Sequence, residues 1–202
     1  MDARTLIVFA TPVATGVAIG RLRGGRLSQL SAIRLERLWL LWLAAALHAL
    51  QMTPSTWPVS HGPARLPVLA ATYAAALTWL ARNTVHRPHR QQSSIATAAT
   101  GATLNAVAIT VNGRMPYSRS AAAAAGLGPG GTTAENLAAT AHTRLLVLGD
   151  IIPVPRLHIV LSIGDLAVIA GVAALISTAM QHTAIQDTVT PKESSPCAST
   201  SP

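Results

Sequence analysis

Long apolar runs without charge alternate with short arginine-bearing segments along this chain. No charged residue occurs between Arg37 and Arg65, or between Arg90 and Arg114. Runs of this kind are typical of transmembrane helices, which need about 20 mostly apolar residues to cross the hydrocarbon core. The pattern predicts an all-α fold, a polytopic transmembrane helix bundle of about five spans in one domain over 1–181. The predicted spans are about 6–20, 38–52, 66–80, 94–111 and 157–180.

The segment 144–152 departs from this pattern because its apolar run is short. It carries Arg144 and Asp150 and is closed by Pro153. A run of about nine residues cannot cross roughly 30 Å of hydrocarbon. We therefore predict a re-entrant or interfacial half-helix here, with a longer tilted span over 136–152 as the alternative. The polar tail 182–202 is predicted to be disordered.

Composition supports a membrane protein over a soluble one. Half of the residues are hydrophobic and only 11% are charged, whereas soluble domains carry about 25% charged residues. The pI near 11.5 raises the alternative of nucleic-acid binding. We exclude nucleic acid because the arginines flank apolar runs, as cytoplasmic loops of membrane proteins do. The lipid bilayer is the partner that this distribution predicts.

The arginine-rich loops also predict an orientation. Positive charge is concentrated in the loops 21–37 and 82–92, and such loops stay on the cytoplasmic side. The chain is thus expected in the cell membrane as a multi-pass protein with its N-terminus outside. Five spans then put the tail in the cytoplasm, and a sixth span over 136–152 would put it outside.

Polar residues inside apolar segments are the candidates for chemistry. A carboxylate at the middle of a membrane costs about 2.5 to 3.5 kcal/mol on insertion scales, so it needs a partner, a proton or water. Asp150 and Asp165 are two such acids, each preceded by glycine, and Arg114 and Arg144 are possible partners. These groups either hold the bundle together or form a pocket for a ligand or proton. The candidate polar site consists of Asn105, Asn112, Arg114, Asp150, Ser162 and Asp165.

Small residues predict where helices pack. Gly16 and Gly20 form a G-x-x-x-G pair, and Gly101 lies on a small, polar face of the fourth span. Small residues allow close approach of another helix, so a homo-oligomer or another membrane protein is a possible partner. Arg23 and Arg26 flank two glycines and are candidate contacts for a lipid headgroup, with ordinary cytoplasmic-loop charge as the alternative.

No spacing typical of a metal site, a nucleotide-binding loop or a nucleophile elbow occurs in the sequence. We therefore predict no metal, no cofactor and no catalytic residue, and we favour a protein that is not an enzyme.

Four segments in combination resemble a bacterial family of predicted small membrane proteins, domain of unknown function five-three-one-seven (DUF5317). The segments are RGGRLSQL at 23–30, LNAVAITVNGRMPYS at 104–118, LGDIIPVP at 148–155 and LSIGD at 161–165. The resemblance covers roughly residues 5–180 and implies a membrane location without an established activity. It marks the six residues of the candidate polar site and Pro116 as positions to test.

Three functions are open at this point. The first is a non-catalytic accessory or assembly partner in the membrane. The alternative is binding or transport of a small molecule or lipid, at a polar site near the outer side formed by 112–120, 144–155 and 158–165. The third is a membrane enzyme acting on a lipid-linked substrate, with Asp150 or Asp165 as base. Convergence of Arg114 and both acids on one cavity would favour the binding function.

Overall fold

Long helices and short strands make up the computed structural model, which describes residues 3–32, 35–52, 64–85, 87–128 and 136–181, together with Gly62. The predicted disordered tail 182–202 lies outside the described residues. The helices are α1 Ala3–Leu22, α2 Leu38–Met52, α3 Arg65–Arg82, α4 His89–Asn112, α5 Arg119–Ala124 and α6 Ile163–Ala179. The strands are β1 Met115–Tyr117, β2 Asn136–Ala138, β3 Ile152–Val154 and β4 Ile159–Leu161. The fold is mostly helical, but the strands make the all-α prediction wrong in detail.

The predicted half-helix over 144–152 is wrong. Only a 3₁₀ turn at Leu146–Leu148 is helical there, and the chain then continues into β3. The last helix begins at Ile163, not near 157, because β4 precedes it and pairs antiparallel with β3. Pro153 and Pro155 explain the difference, since each lacks a backbone N–H and disfavours a helical conformation at the residue before it.

Helix length and composition support fewer spans than the predicted five. Within the described residues, His89–Asn112 is the one helix both long enough and apolar enough to cross a membrane. Leu38–Leu50 and Ile163–Ala179 are apolar but shorter. At 1.5 Å per residue, the 17 residues of α6 extend about 26 Å.

Helix α6 packs against both α1 and α4. Helix α4 also packs against α3, and α2 contacts α3 at the edge of the bundle. Glycines allow the close approaches to α6. A Cβ added at Gly16 of α1 would lie 2.7 Å from the carbonyl oxygen of Ala173, and one at Gly171 would lie 2.5 Å from the amide nitrogen of Ala98. The glycines predicted for packing, Gly16, Gly20 and Gly101, lie against α6 or against Met180, which follows it.

Contacts between loops define two ends of the bundle. At the end that we call the basic end, Glu36 and Asn83 exchange two hydrogen bonds of 3.0 and 3.1 Å. The amide of Arg26 donates to the carbonyl of Met180 at the same end (3.1 Å). Arg26 therefore meets the C-terminus of α6 there, and Glu36 meets the residue that follows α3. At the opposite end, the cavity end, the Arg65 side chain donates to the carbonyl of Gly113.

A small cap of strands lies at the cavity end. Strand β1 pairs parallel with β2, and its other edge meets residue 150 through an isolated bridge at Tyr117. The Asp150 amide donates to the Pro116 carbonyl (2.8 Å), and the Ser118 amide donates to the Asp150 carbonyl (2.9 Å). Gly149 makes this pairing possible because an added Cβ would collide with the carbonyl of Pro116. The backbone of residue 150 is thus fixed beside β1.

Candidate functional site

A cavity of about 300 Å³ opens between the helices and the cap at the cavity end. Residues of α2, α3, α4, β1, β2 and α6 line it, together with residues 113–114 and 150. Its polar and charged lining consists of His48, Arg65, Thr72, Tyr73, Asn105, Arg114, Asn136, Asp150 and Asp165. Leu69, Ile109 and Met115 supply apolar lining.

Four of the six residues predicted for the polar site line this cavity. They come from three separate segments: Asn105 and Arg114 from α4 and the residues after it, Asp150 from the residues before β3, and Asp165 from α6. The remaining two do not line the cavity: Ser162 hydrogen-bonds to Asn105, and Asn112 hydrogen-bonds to the backbone of residue 144. Folding therefore brings together residues as far apart in sequence as Asn105 and Asp165.

Asn105, Ser162 and Asp165 form one hydrogen-bond network at the start of α6. Asn105 donates from Nδ2 to Oδ1 of Asp165 (2.7 Å) and accepts at Oδ1 from the Ser162 hydroxyl (2.9 Å). Ser162 and Asp165 also form a capping box, in which each side chain accepts from the other's backbone N–H at 2.9 Å. Such boxes satisfy two amides that a helix start leaves without partners. Ser162 is fully buried.

This network gives Asp165 a structural role. Both carboxylate oxygens already accept hydrogen bonds, one from Asn105 and one from the Ser162 amide. The carboxylate also lies in the first turn of α6, where the helix dipole favours negative charge. Gly164 packs against the Asn105 side chain so closely that an added Cβ would overlap it. The glycine before this acid thus allows α4 and α6 to meet at the network.

Asn112 holds the segment that precedes the cap. Its Nδ2 donates to the carbonyl of Arg144 (2.8 Å), and its Oδ1 accepts from the amide of Arg144 (2.9 Å). The side chain thereby satisfies both the N–H and the C=O of residue 144, as a paired strand would. Arg144 takes part in this contact through its backbone, and its side chain is exposed.

Arg65 is a lining residue that sequence reasoning missed. It stands at the first position of α3, directly before the expected span 66–80. Its spacing to Leu69, Thr72 and Tyr73 does place all four on one helix face, and all four line the cavity. This shared helix face is the sequence signal from which Arg65 could have been predicted as a lining residue.

Two guanidinium groups share the cavity. Arg65, ahead of the predicted span, has its pKa lowered by burial, and the like charge of Arg114 lowers that pKa further. Among the described residues, Nε of Arg114 is buried without a hydrogen-bond partner. The cavity thus brings two arginines together with two aspartates, Asp150 and Asp165, and contains one buried N–H donor for which the described chain supplies no acceptor.

Arg23 and Arg26, the predicted contacts for a lipid headgroup, are exposed at the basic end, away from the cavity. That assignment stays a prediction. In the described part of the chain, no group of three or more His, Cys, Asp or Glu side chains is arranged to hold a metal ion.

The fold and site define a mostly helical protein with a polar cavity beneath a small strand cap. The chain belongs to the family of unknown function DUF5317, which matches residues 32–177. The matched range includes every residue of the polar site and excludes the RGGRLSQL segment at 23–30, so it is shorter than the expected 5–180. No curated protein and no solved structure matches the chain.

Proposed function

We propose that this chain is a multi-pass membrane protein that binds a small polar molecule or a lipid headgroup in the cavity. The observation that carries the proposal is the convergence of Asn105, Arg114, Asp150 and Asp165 on one space of about 300 Å³. Concave sites with a few convergent polar groups are where ligands bind. Because three separate segments supply these groups, the cavity is a product of the fold.

The apolar surface of α2 supports a membrane location. One side of this helix packs against α3 through Leu40 and Ala44, while Trp39 and Trp42 are 58% and 73% exposed. Further large apolar side chains of α2 are exposed as well, namely Leu38, Leu41, Leu43 and Leu50. A contiguous apolar face of this kind is unfavourable in water and suits a lipid or protein environment.

The helix directions are those that five spans would require, although α4 alone among the described helices is both long enough and apolar enough to cross a membrane. Contacts at the two ends make α2, α3 and α4 alternate in direction, and α6 runs antiparallel to α4. The basic end collects the arginine-rich loops, so it fits the cytoplasmic side. The cavity end then faces outside, and the tail after Met180 begins on the cytoplasmic side.

A reporter fused after Pro202 tests this orientation. Alkaline phosphatase is active only outside the cytoplasm, and green fluorescent protein fluoresces only inside. We expect a fluorescent, phosphatase-inactive tail. An active phosphatase would refute the five-span arrangement.

Filling the cavity tests the binding function. Thr72 lines the cavity on α3, and Thr103 on α4 is exposed. We expect full-length protein purified from its native membrane to retain a small molecule or lipid that mass spectrometry identifies. Thr72→Trp should lose it and Thr103→Trp should keep it. Equal retention by both variants, or no retained compound in the unmodified chain, would count against the cavity as a binding site.

An accessory or assembly role is the second candidate, but two of the surfaces predicted to bind a partner are covered within this chain. The G-x-x-x-G pair of α1 and the small-residue face of α4 are occupied by α6 and Met180 of the same chain. In the described part of the chain, the exposed apolar side of α2 is a surface that a protein partner could cover. Crosslinking from Trp42, replaced by a photoreactive residue, would favour this role if it captured one protein in stoichiometric yield.

The enzyme hypothesis gains little from the site. A general base must have an oxygen available for the proton that it removes. Each oxygen of Asp165 already accepts one hydrogen bond, Oδ1 from Asn105 of α4 and Oδ2 from the Ser162 amide, so the contacts of this residue account for a positioning role.

A further inference from the structure

We infer that the cavity binds an uncharged ligand rich in hydroxyl groups, of the class of a single sugar ring, either free or as the headgroup of a lipid. The inference rests on the proposed binding function and adds the chemical class of the ligand. Three observations carry it: the balance of charge in the lining, one buried donor, and the size and remaining residues of the cavity.

Charge in the lining is balanced. Arg65 and Arg114 line the same space as Asp150 and Asp165, so the formal charges of these four side chains cancel. A ligand with a net charge would leave water for a cavity that offers no excess of the opposite charge, and burial of such a charge is unfavourable. An uncharged ligand avoids this cost. The lining therefore favours a ligand whose polar groups are neutral.

The charged side chains also have contacts within the protein. The Arg65 side chain donates to the carbonyl of Gly113, and each oxygen of Asp165 accepts one hydrogen bond. Asp150 is buried and interacts with other residues of the chain as well. A zwitterion would have to compete with these contacts for a full ion pair. A hydroxyl group needs only one further hydrogen bond from each, which guanidinium and carboxylate groups can still supply because they have several donors or lone pairs.

One buried donor of the cavity lacks an acceptor. Nε of Arg114 has no hydrogen-bond partner among the described residues, and a buried donor is unfavourable until it is satisfied. A hydroxyl group has two acceptor lone pairs and one O–H donor. It can therefore accept from Arg114 and donate to a carboxylate of the same cavity. Neighbouring hydroxyls on a sugar ring repeat this combination, whereas a phosphate dianion offers acceptors only.

The size and the remaining lining also suit a sugar ring. Leu69, Ile109 and Tyr73 supply apolar surface on which the C–H groups of a ring can pack, and Thr72 and Asn136 add uncharged polar groups. A volume of about 300 Å³ equals that of roughly ten waters at ~30 Å³ each. This space admits one sugar ring and excludes an oligosaccharide.

Binding of glucose to the full-length protein tests the ligand class. The protein is purified in dodecyl octaethylene glycol ether, because a maltoside detergent would itself carry sugar rings. Isothermal titration calorimetry compares glucose with an anion and a cation of the same ring, glucose 6-phosphate and glucosamine. Glycine betaine is the zwitterionic control. We expect glucose to bind about tenfold more tightly than each of the three, or better.

A lipid probe identifies the source of the sugar. The probe is dioleoyl glucosylglycerol, and its controls are dioleoylglycerol, which lacks the sugar, and dioleoyl phosphatidic acid, which is an anion. Native mass spectrometry measures the binding of each lipid to the protein. Preferential binding of the glucosyl lipid over both controls, with weaker binding of glucose, identifies a lipid-borne sugar. Binding of glucose without this lipid preference identifies a free sugar.

Variants that change the charge balance locate the binding. Asp150→Asn removes a negative charge from the lining, so glucose 6-phosphate should gain about tenfold in affinity relative to glucose. Arg114→Gln removes a positive charge and the buried Nε donor, so it should weaken glucose binding about tenfold and favour glucosamine. Glu36→Gln and Arg119→Gln are the matched controls and should keep the original preference, since both side chains are exposed and neither lines the cavity. Circular dichroism and gel filtration show whether each variant is folded.

The inference is overturned if neither glucose nor the glucosyl lipid binds more tightly than its controls. It is also overturned if folded Asp150→Asn and Arg114→Gln keep the preference of the unmodified protein. Its failure can be told apart from failure of the proposed function. A co-purifying anion or zwitterion that Thr72→Trp displaces would refute the sugar and keep the cavity as a binding site. No co-purifying compound and no binding of any probe would refute both.

Discussion

Replacing Ser162 by alanine should destabilise the protein more than any ordinary loss of a helix cap. The Ser162 hydroxyl accepts from the Asp165 amide and donates to Oδ1 of Asn105, each at 2.9 Å. Loss of an N-cap acceptor costs about 0.5–2 kcal/mol. The substitution also leaves a buried amide oxygen without its donor, which costs about 1–3 kcal/mol. Ser162 is 0% exposed, so water cannot replace the hydroxyl.

The two effects together predict a loss of about 1.5–5 kcal/mol in the free energy of unfolding. The measurement is reversible unfolding by sodium dodecyl sulfate in mixed micelles, followed by far-ultraviolet circular dichroism. Ser118→Ala is the matched control, because Ser118 caps the short helix α5 through a 3.3 Å bond from the Ala121 amide. It should lose no more than about 1 kcal/mol.

A double-mutant cycle separates the two contributions. Asn105→Ala removes the acceptor of the Ser162 hydroxyl, so the two substitutions should be non-additive by roughly 0.5–3 kcal/mol. If Ser162→Ala proved no more destabilising than Ser118→Ala, and the cycle were additive, the network would not stabilise the α4–α6 contact. The account of Asp165 as a structural acid would then be wrong.

Three further predictions use the same unfolding measurement. Gly164→Ala should cost about 1–3 kcal/mol because the added methyl group would overpack against the side-chain amide of Asn105. Gly128→Ala is the control and should have little effect, because no atom lies within 4 Å of the added Cβ. Equal effects of the two substitutions would contradict the close approach of α4 and α6. Asn112→Ala should cost about 1–3 kcal/mol because its side chain makes three hydrogen bonds, two to the backbone of Arg144 and one to the carbonyl of Ala108. Arg144→Ala should stay within about 0.5 kcal/mol, and the reverse order would point to an ion pair of Arg144. Gly16→Ala should cost about 1–3 kcal/mol at the contact between α1 and α6, and a neutral result would show that α1 packs loosely.

The hydrophobic pattern of the sequence predicts the bounds of two long helices closely. The range 38–52 expected from sequence coincides with α2, and 66–80 differs from α3 by one residue at the start and two at the end. Mostly apolar residues determine such segments locally, and Pro67 is tolerated because it lies in the first turn of α3, where its missing N–H costs no helical hydrogen bond. Helix α4 begins at His89, five residues before the expected 94, because its polar first turns carry no hydrophobic signal.

The strand cap could not be predicted from the same pattern. Strands β1 and β2 have three residues each, and they pair across a chain segment that includes α5. Their stability comes from tertiary contacts, such as Tyr117 packing against Ala122 and Ala138, rather than from local propensity. The glycine before each acid was the usable local signal, because Gly149 and Gly164 both mark close backbone approaches.

Most polar residues at the cavity end have a structural role, and these can be distinguished from polar groups that only a ligand would explain. The fold accounts for Asp165, Ser162 and Asn105 through the α6 cap. It accounts for Asn112 through the backbone of residue 144. A scaffold that served only to anchor a partner would need nothing more at this end. Arg65 also has a structural contact, since its side chain donates to the carbonyl of Gly113 after α4. The remainder is Nε of Arg114, which is buried without an acceptor in the described chain, in a cavity that it shares with Asp150 and Asp165. A ligand with an acceptor group in the cavity would provide what that donor lacks.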